Sequence, residues 1–165
     1  MDHVEIMMWT AVVIRTLALL LAALASGALL VNWLGLARAM ARLSAPAYVE
    51  LHQHTSRTFD PYMPIVVIGA LMSGVALAAV GSGLRPLSVA LPLFGALCYA
   101  GVMAISLSVN VPINRQVARW SISAPPDHWA TARRRWINFH ILRTLLSAPA
   151  LLSYVLAVAL NSRVY

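Results

Sequence analysis

Four stretches of about twenty residues carry no charged side chain, and they constrain this chain more than any motif in it. Residues 17–36 form a run of twenty, 64–84 of twenty-one, 86–109 of twenty-four and 144–162 of nineteen. A bilayer core about 30 Å thick is crossed by roughly 20 apolar helical residues. In lipid every backbone N–H and C=O must be paired within its own segment, so runs like these predict helices. The expected architecture is all-α: an integral membrane four-helix bundle forming one transmembrane domain over residues 1–165. Its spans are expected at about 10–36, 62–84, 86–109 and 139–161.

Composition agrees and excludes the alternatives. Apolar residues make up 61% of the chain and charged residues 10%, against roughly half and a quarter in a soluble domain. Cys98 is the single cysteine, which rules out an intramolecular disulfide or a cysteine metal cage. Asp2 and Glu5 stand before the first run in place of a basic cluster, so that run is read as a span and not as a cleavable signal.

The net charge of +7 comes from twelve arginines and no lysine. They sit between the apolar runs, as membrane-flanking charges do, and not in the stripe or tail that nucleic acid would require. Eight lie in the connections 37–63 and 110–138: Arg38, Arg42, Arg57, Arg115, Arg119, Arg133, Arg134 and Arg135. The other side holds Arg85, Arg163 and Arg15, a count that predicts cytoplasmic connections and both termini outside. Arg38, Arg42 and the run Arg133–Arg135 are read as topology and lipid-headgroup charges. The second and third spans are joined by a tight turn around Gly81-Ser-Gly-Leu-Arg-Pro86. Small residues at four-residue steps, Ala18, Ala22 and Ser26 in the first span and Ala70, Gly74 and Ala78 in the second, predict close helix contacts.

The costly residues gather at the ends of the spans nearest the two long connections. On a helix over 48–60, Glu50, His54 and Arg57 share one face, with His52, Ser56 and Phe59 roughly opposite. The third span ends in Asn110-Val-Pro-Ile-Asn114, where Pro112 argues against a regular helix. Arg133, Trp136, His140 and Arg143 form a second stripe, with Ser147 one turn deeper. Ionisable residues this close to a span must face protein, a cavity or headgroups. One polar end containing Glu50, His54, Arg57, Asp60, Asn110, Asn114, His140 and Arg143 argues for a single pocket. Ionisable residues do not continue through the spans, which weighs against a transporter.

Three chemistries fit such a pocket. Glu50, His54 and His140, with His52 in reserve, would suit iron, copper or zinc, and a histidine from each stripe would suit haem. Without a cofactor, His54 or His140 would serve as general base oriented by Glu50. Arg57 and Arg143 would then stabilise an oxyanion, with Asn110, Asn114, Trp136 and His52 around the substrate. The third reading is non-catalytic: a buried ion-pair network in a structural or accessory membrane protein. The expected partners are membrane lipids and a small lipophilic substrate, and a homo-oligomer is compatible with the composition.

Glu50-Leu-His-Gln-His-Thr-Ser-Arg-Thr-Phe-Asp-Pro-Tyr-Met-Pro64 resembles the signature after the first span of the anthrone-oxygenase-like family of small membrane proteins. Asn110-Val-Pro-Ile-Asn114, Trp129 and Trp136-Ile-Asn-Phe-His-Ile-Leu-Arg143 are similar to that family's later elements, in the same order. The resemblance implies four transmembrane helices and, by analogy with fungal relatives, oxidation of an anthrone by dioxygen to an anthraquinone. Such a reaction needs a base for an acidic benzylic C–H and a site that stabilises the enolate. Glu50, His54, His140, Arg57 and Arg143 are the candidates that the resemblance offers for those roles.

Overall fold

The structure, a computed structural model, describes residues 2–81 and 85–161. The central residues of the expected turn, Ser82 to Leu84, and Arg163 of the orientation count lie outside the described residues. Five helices make up the fold, and no strand occurs among the described residues. They are α1 (His3–Met40), α2 (Ala45–Phe59), α3 (Met63–Val80), α4 (Pro86–Val117) and α5 (Trp129–Asn161). All but α2 are long and apolar enough to cross a membrane. This is a multi-pass membrane protein.

Local sequence explains where the helices start. Asp2 caps α1 by accepting from the Glu5 amide at 2.7 Å. Prolines stand in the first turn of α2, α3 and α4, where a missing N–H leaves nothing unpaired. Three helices, α1, α4 and α5, are longer than the expected spans, because they continue as helix beyond their most apolar stretches. In particular α4 runs through Pro112 to Val117, contrary to the expected break. A π-helical stretch, Ser106–Asn110, precedes that proline. It restarts the α-helical ladder at Val111, so Pro112 falls in a first turn, where proline is tolerated. A second π-helical stretch, Asn32–Ala37, interrupts α1.

The four spans close a ring, α1 on α3, α3 on α4, α4 on α5 and α5 on α1. Small residues let the backbones approach. Ala18, Ala22 and Ser26 of α1 and Ala70, Gly74 and Ala78 of α3 are buried, as the spacing predicts. Gly74 and Gly95 pack so tightly against Tyr154 that a Cβ at either position would overlap its ring. The Tyr154 hydroxyl donates to the Ala70 carbonyl at 2.8 Å, and that of Tyr99 donates to Ala22 at 3.0 Å. In lipid such close contacts replace the hydrophobic drive that soluble helices use.

A second core lies at the far end of the bundle, where Met40, Tyr48, Val49, Ile113, Val117 and Trp136 pack together. This core seats α2 against the extensions of α1, α4 and α5. Gln53 of α2 donates to the Val117 and Trp120 carbonyls at 2.9 Å each. Arg133, read from sequence as a headgroup charge, turns inward instead. It donates to the Met40 and Leu43 carbonyls at 3.0 and 2.8 Å, with its guanidinium 4.5 Å from the Trp129 ring centroid. The last carbonyls of α1 have no partner within the helix, and a cation there also answers the helix dipole.

Candidate active site

Between the two cores is a cavity of about 330 Å³, at the lower end of the range of small-molecule sites. Its walls are mainly apolar, with Leu29 and Leu36 from α1, Phe59 and Met63 around the α2–α3 junction, and Val102 and Leu107 from α4. The polar groups that reach it include Asp60, Ser106, Asn110, Asn114, Arg115 and Arg143. Both π-helical stretches border it, through Asn32 and Leu36 on α1 and Ser106, Leu107 and Asn110 on α4. A widened turn displaces side chains from the ordinary helical faces, which is why π-bulges recur at functional sites.

Asp60, at the end of α2, is exposed as a residue, yet its carboxylate turns into the cavity mouth. Asn114 Nδ2 donates to both of its oxygens, at 2.9 and 3.1 Å. The amide cannot be reversed, because Trp136 Nε1–H only donates and lies 2.7 Å from Asn114 Oδ1. His52 Nε2 lies 3.0 Å from the same oxygen and therefore carries the proton. Burial raises the Asp60 carboxyl above its ordinary range, while the Asn114 bond and the nearby Arg143 and Arg115 pull the other way. A carboxylate so placed is a better proton acceptor than one in water.

Arg143, half-buried, supplies positive charge to the cavity. Its Nε and Nη2 donate to His140 Nδ1 at 3.1 and 2.7 Å, and Nη1 donates to Ser106 Oγ at 3.0 Å. A guanidinium carries five N–H groups. Among the described residues these bonds use three, leaving one N–H on Nη1 and one on Nη2 in a side chain that lines the cavity.

The structure brings together part of the sequence-predicted set. Asn114, Asn110, Trp136 and Arg143 line the cavity, and Asn110 Nδ2 also donates to the Trp136 carbonyl at 3.1 Å. His140 is buried behind Arg143, with Nε2 3.2 Å from the Leu29 carbonyl. Glu50, His54 and Arg57 do share one face of α2, but that face is exposed. The opposite face holds the buried His52, and Ser56 and Phe59 line the cavity. A stripe of ionisable residues is more cheaply hydrated than buried, so it turned outward. The proposed ligand set of Glu50, His54 and His140 is therefore not assembled. Among the described residues, no three His, Cys, Asp or Glu side chains are grouped to hold an ion. His54 is equally misplaced as the partner of a haem shared with His140. Asp60 was read as part of the polar end without a role, because one acidic residue before a proline carries no pattern.

His52 carries a consequence for stability. Burial pushes it down from an ordinary value of 6.5 to about 4, against the opposing bond to Asn114. Among the described residues its Nδ1 has no hydrogen-bond partner, so protonation would bury an unpaired imidazolium N–H. Between pH 6.5 and 4 the unfolded chain binds this proton more readily than the folded one. The contribution is fully present above about pH 6.5 and is lost as pH falls toward 4, by about 3 kcal/mol. The thermal midpoint in detergent should fall through that window, and His52→Gln should flatten the fall. Asp60, with its raised carboxyl, acts in the opposite sense, so the comparison with the variant is the decisive one.

No curated protein and no solved structure matches the chain. The family described as anthrone oxygenase matches residues 55–153. That stretch contains Asp60, Asn110, Asn114, Trp136, His140 and Arg143, and leaves out Glu50 and His54. With more than half of its residues inside this match, the chain belongs to the anthrone oxygenase family.

Proposed function

We propose that the protein is a membrane-embedded oxygenase that oxidises an anthrone or a similar lipophilic aromatic ketone inside this cavity. The observation that carries the reading is one carboxylate with a raised proton affinity and one half-buried guanidinium with two donors free among the described residues, both on a mainly apolar cavity. Asp60 removes the acidic benzylic proton, and the C–H electron pair moves onto the ketone oxygen. The two free N–H groups of Arg143 hold the resulting enolate oxygen. The enolate gives one electron to dioxygen, the radical and superoxide join at the benzylic carbon as a peroxide anion, and Asp60 returns its proton to give the hydroperoxide. Loss of water from the hydroperoxide breaks the O–O bond and the second benzylic C–H bond, leaving a new carbonyl. The balance is anthrone plus dioxygen to anthraquinone plus water.

Purified protein in detergent should consume one dioxygen per anthraquinone formed, well above the spontaneous rate. Dioxygen uptake at the background rate across a panel of anthrones would sink this reading. Glu50→Gln and His54→Gln should leave both turnover and thermal midpoint close to wild type, since changes on a solvated face shift stability by no more than about 0.5 kcal/mol. The arginine count supports a cavity end in the cytoplasm and both termini outside. Accessibility of a single cysteine added at the N-terminus, in a Cys98→Ala background, checks that orientation.

A further inference from the structure

We infer that His140 is a positioning residue, held neutral in one tautomer to aim the Arg143 guanidinium at the cavity. The inference rests on the proposed role of Arg143. His140 is fully buried and does not line the cavity. Its Nε2 faces the Leu29 carbonyl at 3.2 Å and must carry a proton there. Its Nδ1 faces two guanidinium N–H groups at 3.1 and 2.7 Å and must be bare. Both nitrogens are therefore committed within the protein, which leaves neither to take a proton from substrate or to ligate an ion.

The ring plane is fixed as firmly as its edges. His140 stacks on the Trp136 indole with centroids 5.1 Å apart and planes at 6°. Trp136 is itself pinned by its N–H bond to Asn114. The two π-helical stretches complete the clamp. Leu29 lies one turn before the stretch in α1, and its carbonyl also accepts from Thr144 Oγ1 at 3.4 Å. Ser106 opens the stretch in α4; its hydroxyl donates to the Val102 carbonyl at 2.8 Å and its oxygen accepts from Arg143. An unrestrained arginine would sample many rotamers at this depth, and a misplacement of 1 Å costs about 10²-fold in rate. His140 and Ser106 together remove that freedom while leaving two donors free.

The test has two arms on the full chain in detergent. In the first, ¹⁵N-imidazole NMR at neutral pH, without substrate, assigns His140 by the signal missing from His140→Asn. A protonated Nε2 with a bare Nδ1, perturbed in Arg143→Gln, is expected; the opposite tautomer or an imidazolium overturns the inference. In the second, turnover of an anthrone is followed against pH. His140→Asn keeps an acceptor for Arg143 and should stay within about tenfold of wild-type kcat, whereas His140→Leu should lose about 10²-fold in kcat with KM little changed. The acid limb of the pH profile should survive in His140→Asn. Its disappearance there would make His140 the base and overturn the inference. A wild-type protein inert toward anthrones would count against the proposed reaction, while the NMR arm would still decide the state of His140.

Discussion

Asp60→Asn should lower kcat for anthrone oxidation by about 10³-fold, the scale of a lost general base. The substitution is close to isosteric, and its amide oxygen still accepts from Asn114, so the thermal midpoint should move little. Asp60→Glu should retain partial activity, since the base survives but its carboxylate no longer meets the Asn114 amide squarely. The pH profile carries the same signature. Burial raises the Asp60 carboxyl, and only its deprotonated form accepts the benzylic proton. Activity should therefore fall on acidification at a pH above the ordinary carboxylate range. Steady-state rates from pH 4 to 9 check both statements, and a wild-type rate in Asp60→Asn would move the base elsewhere.

Arg143→Lys should cost about 10²- to 10³-fold in kcat, as removal of an oxyanion donor does. The positive charge is kept, but an ammonium cannot bond His140 Nδ1 through two nitrogens, reach Ser106 and still offer two donors to substrate. Enolate charge develops after substrate binds, so KM should change far less than kcat. Arg143→Met should add a stability loss of about 1–3 kcal/mol, because His140 Nδ1 would then be buried without a partner. Kinetics with an anthrone and thermal melts of both variants separate the two effects. A rise in KM with kcat unchanged would instead assign Arg143 to binding.

The spans were legible because lipid imposes a length and a composition that few other environments do. The stripe Trp136, His140 and Arg143 was legible as well, since helical spacing put all three on the inward face of α5. The same reasoning misled on α2. Glu50, His54 and Arg57 make the more conspicuous pattern, yet they face outward, and His52 on the other face enters the network. Periodicity shows which residues share a face but not which face is buried; on α2 that was decided by Tyr48 and Val49, which dock into the second core beside Trp136. Asp60 was hidden for a different reason. Its role depends on Asn114, fifty-four positions away, and no local spacing records that contact. The two π-helical stretches also left no mark in the sequence, although both border the cavity.

The account turns on proton removal by Asp60 within the cavity, a step that can be isolated by withholding dioxygen. An anthrone incubated anaerobically in deuterated buffer should exchange its benzylic hydrogens faster with wild-type protein than without it. Asp60→Asn should exchange at the background rate, and Arg143→Lys at an intermediate rate. Exchange by Asp60→Asn at the wild-type rate would contradict the assignment of this carboxylate as the base.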